Sequence, residues 1–452
     1  MSVAAECGLP PKVGSFVSYT IEPKIENGGL TLDILLSFRL SGRSATLILP
    51  SQWQGQNDLF HAINGLEVLS PGTSIGNGDL PWMRRITFSS GQVVRLGYHV
   101  SKDWMGKIDA SSYFRVMLDS SYFQVAGPNF LVHPSIPDDE ELLIFLEWKS
   151  LPPGWKAVDS FSGDSPCQFA KTKIVKLTDG LFAGGDLRVH QVQVESKQVF
   201  IATRGQWSFP DEAFEGLVEK VLSAERLFWH DVQIPNYLIT LLPSDDDPGN
   251  YGGTALEDSF ALFAGHETKL DFQTKFLLAH EMFHSWNAAK LGEIRSETPF
   301  WFTEGFTDYY ARRLLKRAGI ITDEEYDNDV KTAYTEYRTS RVLHASGVQV
   351  RAQFYADSDI QRVAYLRGDF LALRWNQMIE HQSRGQQSLD DAMLDLSRLA
   401  KTQELVLTSS FLASYFAKYV GPEAVSDVQR YLENGETIPL IESKTSVEHP
   451  ER

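Results

Sequence analysis

Phe276-Leu277-Leu278-Ala279-His280-Glu281-Met282-Phe283-His284 sets two histidines four residues apart within a run of helical apolar spacing. Residues i and i+4 lie on one helical face, so both imidazoles can reach one metal ion while Glu281 stands beside it as a base. Asp271 to Thr274 offers capping side chains and Gly292 follows Lys290 as a stop, which predicts a helix between them. Phe276, Leu277, Ala279, Phe283 and Trp286 give it more apolar packing surface than a solvated face would carry.

A catalytic zinc ion takes three protein ligands and keeps a fourth position open for water, so two histidines call for a partner. Trp301-Phe302-Thr303-Glu304-Gly305-Phe306-Thr307-Asp308-Tyr309-Tyr310 supplies one. Turn formers between Gly292 and Pro299 let a second helix return against the first, with Glu304 near its start facing the metal. Asp308 follows one helical turn later and can accept the spare N–H of a ligating histidine, fixing its tautomer. An ordinary acidic helix start would also place carboxylates here. The aromatic residues around them argue for burial, and a buried carboxylate needs a partner.

H-E-x-x-H followed 20 residues later by the glutamate of W-F-x-E-G-F resembles the gluzincin metallopeptidases, which share a thermolysin-like catalytic domain. Within that group, His284-Ser285-Trp286-Asn287 and the F-T-x-Y-Y ending at Tyr310 most resemble the glycyl aminopeptidase family. Motif-level matches run from Tyr251 to Gly368. The resemblance implies one zinc ion per chain on His280, His284 and Glu304.

Downstream, Ala364-Tyr365-Leu366-Arg367-Gly368 resembles the Y-x-K-G segment of this family, with Arg367 in place of its lysine. By that resemblance Tyr365 donates a hydrogen bond to the oxyanion of the tetrahedral intermediate. Upstream, Asn250-Tyr251-Gly252-Gly253-Thr254-Ala255-Leu256-Glu257-Asp258-Ser259 matches in position a glycine-rich, glutamate-bearing segment of related aminopeptidases. This implies an edge strand open to a peptide backbone at Gly252 and Gly253, and an acidic anchor, Glu257, for a free amino terminus. Thr254 and Ala255 depart from the pattern, so Glu257 serves only if the loop absorbs two extra residues. A solvated loop acid is the alternative.

The 452 residues suffice for two or three cores. A net charge of -17 without a basic patch disfavours nucleic acid as a partner. No run reaches transmembrane length, residues 141–148 being far too short. No charged segment followed by an apolar one marks a signal peptide, so the compartment stays open between the cytoplasm and, had a leader been removed, the periplasm or exterior. Cys7 and Cys167 lack metal-ligand spacing; they could bridge in an oxidising compartment, but free thiols are the expectation.

Leu30, Leu32, Ile34, Leu36, Phe38 and Leu40 alternate with other residues, the period of a half-buried strand. Strand-like runs recur at 44–49, 93–100, 142–148 and 188–194, so residues 1–204 read as an N-terminal, mainly-β, sandwich-like domain. A helix from Pro210 to about His230 and a strand at 237–242 follow, and Asp245-Asp246-Asp247 lacks calcium-loop spacing and reads as a solvated turn. His230 reads as packed or capping and His266 as solvated. Residues 205–320 then form the thermolysin-like catalytic domain. Residues 321–452 form a helical lobe completing its cleft, with helices at 323–342, 359–381, 388–399, 409–419 and 422–434. The fold class is α+β multidomain, and the peptide-binding module that ends many relatives is not expected here.

These residues suit hydrolysis of a peptide bond: zinc draws the pKa of its water towards about 7, Glu281 takes the proton, and Tyr365 steadies the oxyanion. The resemblance favours release of amino-terminal residues, glycine or other small ones. Two rivals are a zinc endopeptidase with the same site but no amine anchor, and a non-catalytic peptide-binding protein. Against the second stands the full set of His280, Glu281, His284 and Glu304, since a pseudoenzyme has no chemical need for the base.

Overall fold

The computed structural model describes residues 14–439 except 27, 110–111, 138, 195–196, 232–235, 246–250, 288–289 and 294–297. The chain divides into two compact units, Met1–Glu219 with Val232–Leu270, and Lys220–Asp231 with Asp271–Arg452.

In the first unit the alternating leucines form the strand Gly29–Arg39, whose Leu30, Leu32, Ile34, Leu36 and Phe38 are buried while Thr31, Asp33, Leu35 and Ser37 are not. It pairs antiparallel with Phe16–Glu26 and with Val94–Val100 at the centre of a six-stranded sheet. Phe16–Glu26 in turn runs parallel to Glu141–Trp148. Apolar residues of this sheet share one core with Leu47 and Ile86 of one four-stranded sheet and with Phe123, Val125 and Phe182 of another. Layered sheets around a common core are what the alternating pattern calls for.

The same unit holds a mixed five-stranded sheet. Lys197–Thr203, Asn236–Pro243 and Ser259–Ala264 run parallel in its middle, with Arg188–Val194 and Tyr251–Leu256 antiparallel at the edges. The glycine-bearing segment forms an edge strand, as expected at Gly252 and Gly253, and Glu257 follows it in the turn. Its ladder runs regularly, Gly253 opposite Leu262, Thr254 opposite Ala261 and Ala255 opposite Phe260, so Thr254 and Ala255 extend the strand instead of being absorbed by a bulge.

Asp245 does more than face solvent, because its carboxylate accepts the Ile108 N–H at 2.9 Å; Asp246 and Asp247 lie outside the described residues. Cys167 is disulfide-bonded, against the expectation of free thiols. Cys7, the only other cysteine, lies outside the described residues.

The second unit is helical. Asp271 caps the helix Phe272–Phe283 by accepting the Thr274 N–H at 3.2 Å. The helix stops earlier than its composition suggests: Ser285 and Trp286 bond back three residues, to the Met282 and Phe283 carbonyls, and tighten the chain into turns. Further helices span Thr307–Arg317, Asp323–Thr339, Gly347–Gln353, Ser358–Gln382, Leu389–Ala400 and Ser409–Val420. Most sit within a few residues of expectation; Gly347–Gln353, a single capped segment without a long apolar period, was not expected. His230 is exposed with φ 51°, closing the helix Asp211–Trp229, and His266 is solvated. Among the described residues no helix is long and apolar enough to cross a membrane.

Candidate active site

Glu304 sits in a wide π-helical turn, Trp301–Phe306, that leads into the helix Thr307–Arg317. Such turns cluster at functional sites because they re-aim a side chain without breaking the helix. Asn287 ties this turn to the histidine segment. Its buried Nδ2 donates to the Phe302 carbonyl at 3.1 Å and to Thr307 Oγ1 at 2.9 Å. A second clamp is backbone on backbone. Gly305 lies against Gly368 of the helix Ser358–Gln382 so closely that a Cβ on Gly305 would come 2.3 Å from the Gly368 Cα. Crossings this tight admit only glycine.

These two clamps bring three ligand-type atoms together. His280 Nε2 and His284 Nε2 are 3.1 Å apart, and Glu304 Oε2 is 3.5 Å from the first and 3.3 Å from the second. Ligand atoms about 2.0–2.1 Å from a tetrahedral zinc would lie about 3.3–3.4 Å from one another, so the triangle has the size that ion demands. The donor chemistry agrees. His280 Nδ1 stands 2.8 Å from Asp308 Oδ1, and an ionised carboxylate only accepts, so the ring proton is on Nδ1 and Nε2 offers a lone pair. Two imidazole nitrogens and a carboxylate converging on one point could hold a metal ion.

The electrostatics follow from this crowding. Burial would push the Glu304 carboxyl up, but His284 and His280 outweigh it and hold it well below the usual range. For His280 burial works downward and is overcome by Asp308 and Glu304, which leave it well above the ordinary histidine value. Asp308 is itself buried, and its Oδ2 faces Arg362 Nη1 at 3.4 Å, while Arg362 also grips Glu336 at 2.8 Å.

Tyr365 stacks on His280 with ring centroids 5.7 Å apart and planes within 11°. Its hydroxyl is pushed far above the ordinary tyrosine value by burial, then by the charges of Glu304, Glu281 and Asp308. A protonated phenol here can donate a hydrogen bond. Glu281 follows His280 directly and is half-buried.

Gly252, Gly253 and Glu257 belong to the first unit. A Cβ on Gly252 would meet Tyr113 at 2.8 Å, and one on Gly253 would meet Phe260 at 2.4 Å, so these glycines make room for aromatic rings of their own unit. Glu257 stands in the two-residue turn after the edge strand and is ion-paired to Lys176, which also holds Asp258 at 2.6 Å. Nearby, burial and then the charge of Glu257 push Asp179 up to about 7.

Sequence reasoning passed over three residues of the second unit. Arg362 reaches Asp308 from a helix remote in sequence, and no local spacing announces it. Asn287 was quoted in a motif without a task. Glu225 is fully buried, with neither carboxylate oxygen hydrogen-bonded, and burial raises it well above the usual range, the opposing pull being that of His280.

The fold and the triangle of His280, His284 and Glu304 resemble those of zinc metallopeptidases. Residues 273–365 match the family profile of the M61 glycyl aminopeptidases, and the resemblance to the gluzincin glycyl aminopeptidase family stands on that match. No curated protein sequence matches the chain. Among solved structures, an aminopeptidase N family protein from Idiomarina loihiensis superposes with a TM-score of 0.77 at 19% identity, covering 94% of this chain and 77% of that one. An M1 zinc metallopeptidase from Deinococcus radiodurans gives 0.59 at 15% identity, covering 94% of each chain. Leukotriene A4 hydrolase from Saccharomyces cerevisiae gives 0.58 at 14% identity, covering 94% of this chain and 68% of that one. At such identities the likeness is one of fold.

Proposed function

We propose that this chain is a zinc-dependent peptidase that removes amino-terminal residues, small ones such as glycine among them. The observation that carries the peptidase reading is the 3.1–3.5 Å triangle of His280, His284 and Glu304, with Glu281 and Tyr365 beside it. His280, His284 and Glu304 would hold one zinc ion per chain, which would supply Lewis acidity there. Glu281 takes the proton of the attacking water and passes it to the departing amine. Tyr365 donates its hydroxyl hydrogen to the oxygen on which charge develops. Asp308 holds the His280 ring in the tautomer that leaves Nε2 free to ligate.

The aminopeptidase part rests on the family match across 273–365. A second reading, endopeptidase, is favoured by one observation: Glu257, the expected amine anchor, already carries Lys176 as its counter-ion. Zinc content and paired peptides separate the readings. An aminopeptidase holding about one zinc per chain cleaves free peptides and rejects their N-acetylated twins. Equal cleavage of both sinks the aminopeptidase reading, and no cleavage of either by zinc-loaded protein sinks the enzyme.

A further inference from the structure

Arg367, on the helix Ser358–Gln382, is 1% exposed. Its Nη2 donates to the Leu343 carbonyl at 2.8 Å, while Nε and Nη1 are buried without a hydrogen-bond partner. The Tyr337 phenol stands beside the guanidinium as a neutral hydrogen-bonding neighbour, its oxygen also accepting the Ile438 N–H at 3.0 Å, so it supplies no counter-charge. Among the described residues no carboxylate pairs with Arg367, and burial draws it below the ordinary arginine value. A buried charge with unsatisfied donors is among the costliest things a fold can contain, and it calls for a counter-ion.

The space for one is present. Arg367 lines a cavity of about 30 Å³ with Phe300, Trp301, Ser409, Arg351 and Glu433. A water needs about 10–15 Å³ by this measure, so the cavity suits a single small ion with at most one water. Ser409 accepts the Trp301 indole N–H at 3.0 Å, which leaves its own hydroxyl hydrogen to donate. It is also the first residue of the 12-residue helix Ser409–Val420, an end that favours negative charge. Glu433 does not oppose an anion strongly, because Arg351 grips both its oxygens at 2.9 and 3.2 Å.

We propose that this cavity binds a small inorganic anion of halide size through the Nε–H and Nη1–H of Arg367 and the hydroxyl of Ser409. The site is separate from the triangle of His280, His284 and Glu304. It sits where Trp301, which opens the turn bearing Glu304, meets the helix bearing Tyr365. The anion satisfies the guanidinium and braces that junction, so its first effect is on stability and needs no turnover to be seen.

The zinc-loaded full chain, dialysed into sodium gluconate, is titrated with sodium chloride, bromide or acetate at constant ionic strength while its Tm is followed. Chloride and bromide raise the Tm saturably, by roughly 2–4 °C per tenfold excess over Kd, whereas acetate leaves it flat. Arg367→Met removes the unpaired charge, so it is at least as stable as wild type in gluconate and loses the halide response. Crystals grown in bromide show anomalous density beside Nε and Nη1 of Arg367. Equal Tm in chloride and gluconate overturns the proposal, as does a response to acetate without one to bromide. Should Arg367→Met fail to fold, bromide diffraction from wild-type crystals decides alone: no bromine beside Arg367 at saturating bromide ends the proposal.

Discussion

Nδ1 of His280 donates its proton to Oδ1 of Asp308 across 2.8 Å, while the other oxygen of Asp308 faces Arg362. A carboxylate so placed fixes the ring and raises the basicity of the nitrogen opposite. Replacing Asp308 with Ala is expected to weaken zinc binding or activity by about 10–100-fold. Competition with a chelator reads this directly. Wild-type zinc affinity together with wild-type activity in Asp308→Ala would show that the contact is incidental.

Glu281→Gln keeps the size of the side chain and removes the base. The variant should hold about one zinc per chain and lose about 10²–10⁴-fold in kcat. Metal analysis and turnover on the same preparation test it, and retained activity would remove Glu281 from the mechanism.

Tyr365→Phe deletes one hydroxyl and leaves the ring that stacks on His280. A donor used only on the developing oxyanion costs about 10²–10³-fold in kcat when lost, with KM little changed. A loss expressed wholly in KM would assign Tyr365 to ground-state binding instead.

Two glycines should respond oppositely to the same substitution. A Cβ on Gly368 would sit 1.8 Å from the Trp301 carbonyl oxygen, so Gly368→Ala is expected to destabilise by about 1–3 kcal/mol or more. Gly216, within the helix Asp211–Trp229, has nothing within 4 Å of its Cβ position, and Gly216→Ala should stabilise by about 0.4–1 kcal/mol. Denaturant melts of the pair decide it; a harmless Gly368→Ala would mean the crossing is looser than described.

The buried Glu225 carboxyl should write a pH signature on stability. Its folded pKa is raised well above the ordinary 4.5, so its contribution is complete below that value and is lost as pH rises towards the folded pKa. Glutamine mimics the neutral acid and does not titrate. The Tm of Glu225→Gln should therefore gain on wild type as pH rises above the ordinary carboxyl range. A difference that stays constant with pH refutes the assignment.

Sequence exposed the candidate ligands because helical spacing is local: His280, His284 and the Glu304–Asp308 pair are each legible within one turn. Tyr365 was reachable only through family likeness, since 16 tyrosines look alike without neighbours. The contacts that fix the geometry were hidden for a physical reason. The Arg362 pair with Asp308 and the Gly305 crossing at Gly368 join segments more than fifty residues apart, and no periodicity encodes such meetings. The helix end was misjudged for the opposite reason. Ser285 and Trp286 are neither proline nor glycine, yet their three-residue bonds tighten the chain out of helical register. At the edge strand, the glycines read as room for an approaching peptide backbone. Here they make room for Tyr113 and Phe260, which a sequence read one element at a time does not reveal.

Where Gly305 and Gly368 cross, main chain rests on main chain, and no side chain acts as a spacer. The interval between the carboxylate of Glu304 and the phenol of Tyr365 is therefore set by peptide geometry, which does not vary with amino-acid identity. The spacing of Glu304 and Tyr365 rests on two hydrogen atoms, and a single added methyl group at either point would reset it.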